Sequence, residues 1–170
     1  VISRTGARRI VQGPATLLLA YHETLEVLRF STGSPKTPVN PEETPYLCIK
    51  NNKVKDALTV TTKDHVDVQI ALEYRTQFMG EPERWFSVDN PTQVLCDRGR
   101  ALLKKMAKEQ SIEAFVSNAT AFVQDTLLGK VGEDGRRQGV LFEENGMFVD
   151  DVNVLSVEIQ DPHIQALLEQ

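Results

Sequence analysis

The side chains equipped for chemistry are thinly spread. Asp64, His65 and Asp67 come nearest to a metal-ligand cluster. Strand alternation nevertheless sends Asp67 away from its neighbours Val66 and Val68, and a turn is where short polar residues belong anyway. Asp150 and Asp151 stand at the start of an apolar run. A hard cation such as calcium takes roughly 6–8 oxygen ligands, so this pair would hold one only if further carboxylates converged on it; a solvated strand edge is the simpler reading. His22 and His163 have no nucleophile in sequence reach and no triad spacing. The stretch 129–139 carries four glycines, but no Lys-Ser/Thr pair follows them and no strand leads directly into them, so it fails as a phosphate cradle and reads as a mobile surface loop. Cys48 and Cys96 lack CxxC spacing and read as reduced, small core residues rather than a disulfide. These patterns nominate no catalytic residue, no metal site and no cofactor.

Charge narrows the partners. A formal net charge of −5 argues against direct nucleic-acid contact, which needs clustered positive charge. The cations that do cluster are Arg98, Arg100, Lys104, Lys105 and Lys108, on the polar side of a predicted helix beside Asp97. A solvated face is the plain reading; contact with an anionic surface, lipid or acidic protein, is the sharper one. The 41% hydrophobic and 25% charged residues are ordinary for a globular protein, and 170 residues suffice for one good core and a small second module. The longest purely apolar run, residues 17–21, is far short of the roughly 20 residues a membrane-spanning helix requires. The chain begins at Val1 without a visible leader, as expected of a piece of a longer protein.

The elements that must position these groups centre on residues 58–78. Val66, Val68, Ile70, Leu72 and Tyr74 alternate with mostly polar neighbours, and Leu58, Val60 and Thr62 repeat the period upstream, so Lys63-Asp64-His65 turns a hairpin with one apolar face. Helical patterns over 91–128 supply its cover. Asp89-Asn90-Pro91 starts the first helix, with Val94, Leu95, Leu102, Leu103 and Met106 as its buried stripe and Gly99 on the same side, where another backbone could approach. Ser111 caps the second, in which Ile112, Phe115, Val116, Ala119, Phe122, Val123 and Leu127 recur at helical steps; a break is expected near Ser117-Asn118, and Gly129 ends it. Trp85, on a short helix opened by Pro82, caps the core's edge. Residues 147–159 read as a strand whose apolar phase shifts, Phe148, Val152 and Val154 on one parity and Leu155, Val157 and Ile159 on the other, which a bulge or burial on both faces would explain. Strands first and helices second predict an α+β domain.

Ahead of this lie short strands over 8–11, 15–20 and 25–30. Residues 31–45 follow, with four prolines and one glycine, and predict a loop and domain boundary; 46–49 restores a strand. At the other end Asp161-Pro162 starts a helix with Ile164, Leu167 and Leu168 as its apolar stripe. It is shorter than the roughly 12–15 residues an isolated helix needs, so the parent protein is expected to continue it and bury the stripe between neighbouring copies as an assembly helix.

The hairpin Leu58-Thr-Val-Thr-Thr-Lys-Asp-His-Val-Asp-Val-Gln-Ile, the helices after it, and Asn145-Gly-Met-Phe-Val-Asp-Asp-Val-Asn-Val-Leu-Ser-Val-Glu-Ile resemble the band 7 or SPFH domain of the stomatin, prohibitin and flotillin superfamily, and within it most of all the vault shoulder. Upstream, Gly13-Pro14, Glu23-Thr-Leu-Glu-Val-Leu28 and Ser31-Thr-Gly-Ser-Pro-Lys-Thr-Pro38 resemble the end of a vault β repeat. The order and spacing of these strings carry the likeness, not any single motif. It implies an antiparallel β-sheet with helices packed on one face, over 46–160, preceded by a small β module and Pro-rich loop at 1–45 and followed by the start of a helix at 161–170. It also implies a non-catalytic scaffold without cofactors that assembles with itself, through lateral contacts and a following coiled coil, into a large ring or shell of the ribonucleoprotein-particle kind. The setting implied is cytoplasmic, with any membrane association carried by other parts of the parent protein. The competing reading is a peripheral module that binds a membrane surface or client protein through the cationic helix face.

Overall fold

The structure, a computed structural model, describes residues 1–34 and 36–168, except for the side chain of Leu168. Pro35 of the expected loop, and Glu169 and Gln170 at the end of the expected last helix, lie outside the described residues.

The central sheet has four antiparallel strands in the order β5-β6-β8-β7: β5 (Asn52–Thr61), β6 (Asp67–Phe78), β7 (Val140–Phe142) and β8 (Met147–Ile159). As the alternation requires, Val54, Leu58 and Val60 of β5 and Val68, Ile70, Leu72 and Tyr74 of β6 are buried on one face. Each such aliphatic side chain, once fully buried, contributes about 1.5–3 kcal/mol. The opposite face is wet: Lys53 and Lys55 lie beside Glu73, and Arg75 beside Asp151, as exposed pairs worth about 0–1 kcal/mol each.

Helices α1 (Pro91–Ala107) and α2 (Ile112–Leu128) complete the core. Asn90 and Ser111 cap them, accepting from the amides of Gln93 and Ala114. Asn118 leaves helical geometry at φ −131° and ψ 25°, which is the break expected at 117–118. The buried stripe of α1 is Leu95, Cys96, Gly99, Leu103 and Ala107, while Val94 and Leu102 are exposed. The Arg100–Asp56 ion pair and the close approach of Gly99 to the Tyr74 ring accompany this rotation of the helix, slightly away from the one periodicity suggests. The phase shift in β8 comes from two bulges: opposite β6 the register slips between Ala71 and Leu72 and between Arg75 and Thr76. Each leaves one extra residue, Leu155 and Asp150, so the inward set runs Met147, Val149, then Val152, Val154, then Val157, Ile159. Phe148 therefore falls on the outer parity, not with Val152. A 3₁₀ turn at Pro82–Phe86 buries Trp85, whose indole N–H donates to the Met79 carbonyl at 3.0 Å.

The N-terminal third departs from the expectation. Residues 8–11 and 15–20 form no strands; the pairing there is β1 (Ile2–Ser3) with β2 (Glu23–Thr24), tied by Arg9 to Glu23 at 2.8 Å. The proline-rich stretch is a hairpin, β3 (Leu28–Ser34) against β4 (Thr37–Thr44). Its prolines are tolerated because β4 pairs on one side only, where a missing donor is not needed on the other. Ser31 faces a two-residue bulge at Asn40 and Pro41, with Asn40 at φ 49°. Residues 46–49, expected as a strand, are irregular, although Leu47 and Ile49 still pack on the core.

Candidate assembly and docking surfaces

Helix α3 (Pro162–Leu168) follows the last strand. Asp161 opens it, its carboxylate accepting from the His163 amide at 2.9 Å and its carbonyl from Gln165 at 3.0 Å. Ile164 packs half-buried against the core, so only part of the predicted stripe faces outward: Leu167 is 71% exposed. The side chain of Leu168 lies outside the described residues.

The five cations do not act as one face. Lys104, Lys105 and Lys108 are exposed, and the Arg98 guanidinium lies 4.8 Å from the centroid of the Phe142 ring. Arg100 turns inward. Its Nε and Nη2 donate to both oxygens of Asp56, at 2.9 and 2.5 Å, and Nη2 also reaches the Ala57 carbonyl at 3.0 Å. The Asp56 side chain is 1% exposed and that of Arg100 15%. A planar guanidinium matched to a carboxylate in this two-bond fork is strong and directional. Burial here, with the Asp56 carboxylate close by, pushes the Cys96 thiol up to about 12.

This pair is also where the N-terminal hairpin docks. The Gly33 amide donates to Asp56 at 3.3 Å, and the Gln93 side chain donates to the Gly33 carbonyl at 2.6 Å. One residue away from Thr32, the bulge frees the Ser31 amide, which reaches Asn90 Oδ1 at 2.9 Å; Asn90 Nδ2 donates to Ser31 Oγ at 2.7 Å, and Thr92 Oγ1 to the Ser31 carbonyl at 2.8 Å. Asn90 sits in the left-handed region at φ 50° to do this, which Asn tolerates better than most residues. The start of α1 is thus spliced to β3 by side chains that also cap the helix. Sequence reasoning missed this cluster, but a trace was present: Asp56 shares its parity with Val54, Leu58 and Val60, where a carboxylate requires a buried partner.

The other chemically equipped residues have structural employment. Asp64 Oδ2 accepts from the Ile112 amide at 2.8 Å at the start of α2, Asp67 accepts from Thr61 Oγ1 at 2.6 Å, and His65 fills the turn at φ 61°. Asp151 pairs with Arg75, Asp150 is the bulge residue, and His22 meets the Tyr21 ring edge-on. Among the described residues no three His, Cys, Asp or Glu side chains gather as a metal site. Cys96 is buried as expected, whereas Cys48 is exposed, because its neighbours Leu47 and Ile49 take the inward positions. The glycine-rich stretch is tied down by Arg137, bound to Asp125 and to the Gly129 carbonyl at 2.7 Å, and by the Gly132 amide to Arg136.

Comparison with known proteins decides what this architecture is. The profile of the Shoulder domain family of the major vault protein matches residues 50–161, well over half of the chain. The chain belongs to that family. The match starts just ahead of β5 and ends at the foot of α3. Curated relatives extend the similarity to nearly the whole chain: the major vault protein of Leishmania braziliensis is 27% identical over 98% of this chain, major vault protein beta of Dictyostelium discoideum 29% over 90%, and the human major vault protein 26% over 95%. These alignments cover 20%, 18% and 20% of the relatives, so the chain spans about a fifth of their length. No helix among the described residues is long and apolar enough to cross a membrane.

Proposed function

We propose that this chain is the shoulder segment of a vault-type shell subunit, a non-catalytic structural module that works by holding its neighbours in register. The observation that carries the reading is the match of the shoulder family across the sheet and both core helices. In this reading residues 1–45 are the end of a preceding β module, 46–160 the shoulder proper with an SPFH-like build, and α3 the element that leads out of it. Two structural features support it. The hairpin β3–β4 is fixed to α1 by the Ser31–Asn90–Thr92 network, so that two consecutive modules of a long subunit pass strain to one another as a unit. Leu167 is presented outward on α3, where a continuing helix would place it in a seam between copies. Lateral contacts between shoulders are then individually weak and act together with the coil, as linkage of many sites allows. The cytoplasm is the setting this reading implies.

The peripheral-binding alternative keeps Arg98, Lys104, Lys105 and Lys108, but Arg100 is committed to Asp56. Salt-sensitive binding to anionic vesicles would favour it, because an apolar seam does not respond to salt in that way. The test of the shell reading is electron microscopy of the full-length parent protein. Closed rings or shells are expected; a uniformly monomeric parent would overturn it.

A further inference from the structure

The central sheet has two free edges. Strand β8 is paired on both sides only over Met147–Val149, where β7 lies; from Asp150 to Ile159 no strand flanks its outer side among the described residues. Main-chain directions alternate along an antiparallel strand. The Gln160 amide donates to the Asp67 carbonyl of β6 at 3.0 Å, so Glu158 faces β6 while Val157 and Ile159 face outward. At Val152 side chains cover the outer edge: its carbonyl accepts from Gln124 Nε2 at 3.0 Å and its amide donates to Asp151 Oδ1 at 2.9 Å. The outward main-chain groups of Val157 and Ile159 have no such partner among the described residues. Their side chains, with that of Val154, face the core but are only half-buried, and Leu155 at the bulge is 52% exposed. An unpaired apolar edge of this kind is a template for a further strand.

The opposite edge is β5, which likewise has no strand on its outer side. The hairpin β3–β4 meets it through the Asp56 side chain, on the core side, and Arg100 takes the outward carbonyl of Ala57; the outward main-chain groups of Lys53, Lys55 and Thr59 have no partner among the described residues. The two edges differ in charge. Lys53 and Lys55, with side chains 64% and 70% exposed, share one carboxylate, Glu73, at 3.6 and 4.0 Å, which leaves a positive charge over. On β8, Asp151 serves Arg75, whereas Asp150 is exposed and has no ion pair among the described residues. Both β5 and β8 run antiparallel to β6 and hence parallel to each other, and Lys53 and Asp151 both lie opposite Arg75. A closed ring needs two unlike, complementary patches on one subunit, and the rotation that generates it preserves strand direction. We propose, resting on the shell reading above, that neighbouring shoulders meet edge to edge: the open stretch of β8 in one copy receives β5 of the next as a parallel strand, with Lys53 and Lys55 of the second copy beside Asp150 and Asp151 of the first.

The experiment is crosslinking by a short bismaleimide in the assembled full-length parent, on a Cys48→Ser background. Two matched pairs are introduced at exposed positions, Lys53→Cys with Asp150→Cys, and Thr59→Cys with Glu158→Cys, the latter two both opposite Gln69. The second pair leaves Lys53, Lys55, Asp150 and Asp151 in place, so it reads the contact even where loss of those charges loosens the particle. Each matched pair should give a ladder of covalent dimers, trimers and longer chains. Each single substitution, and the crossed pair Lys53→Cys with Glu158→Cys, should give none, because unlike edges meet in one register. Closed particles under the electron microscope in which the matched pairs stay silent would overturn this contact and leave the shell reading standing; so would covalent dimers from a single substitution, which require like edges to meet. A parent that forms no particles would overturn both.

Discussion

At the scale of single residues the decisive group is Asp56, a carboxylate at an inward strand position held by Arg100 and the Gly33 amide. Removing one member of a buried ion pair leaves the other charge uncompensated and costs about 3–5 kcal/mol, whereas replacing both by apolar residues of similar size is often neutral. Asp56→Ala should therefore destabilise by about that amount in urea titrations, and Asp56→Leu combined with Arg100→Met should recover most of it. Equal losses in the single and double variants would mean the pair is incidental. The same site governs Cys96. Its thiol is raised from 9.0 to about 12 by burial first and by Asp56 next, so the folded state favours the neutral form. The sign follows: this contribution is complete below pH 9 and is lost as pH rises from about 9 towards 12. A thiol reagent at pH 8 should label Cys48 alone in the native chain and both cysteines in denaturant; fast labelling of Cys96 in the native state would contradict the packing.

At the scale of elements, the hairpin β5–β6 was legible because its alternation is clean, and Ile70 at its centre is 0% exposed. Ile70→Ala should cost about 2–5 kcal/mol and Ile70→Asp should abolish folding, while Gln69→Ala on the wet face should change the melt little; indistinguishable melts for Ile70→Asp and Gln69→Ala would reverse the strand's facing. Hairpin β3–β4 was not legible, since four prolines in a short stretch argue for a loop and the local sequence cannot reveal that β4 has only one paired edge. Nor was its anchor, because Ser31 and Asn90 are far apart in the chain and polar residues before a helix already have a sufficient explanation as caps. The two bulges of β8 were legible only as a shift of phase. Docking predicts a local effect: Thr92→Ala with Gln93→Ala should speed amide exchange across residues 28–44, with exchange in β6 unchanged. Uniform acceleration of both would show the hairpin to be part of the cooperative core.

At the scale of the whole molecule, the sheet has one wet face and one helix-covered face, and Leu167 of α3 is one of several apolar side chains left exposed among the described residues. The apolar spacing of Ile164, Leu167 and Leu168 is what leads to the proposal of an assembling extension; of these, Ile164 packs on the core and Leu167 is exposed. How strongly shoulders adhere to one another was not legible, because surface complementarity between copies leaves no periodic signature in one sequence. If the seam lies in the continuing helix, oligomerisation should depend on that helix and not on the shoulder alone. Gel filtration with light scattering tests this most directly, on the 170-residue chain and on the same chain extended by several heptads of its native sequence. The expected masses are that of a 19.0 kDa monomer for the first at micromolar concentration and that of a large ring for the second. A stable high-order oligomer from the short chain, or a monomer from the extended one, would contradict it.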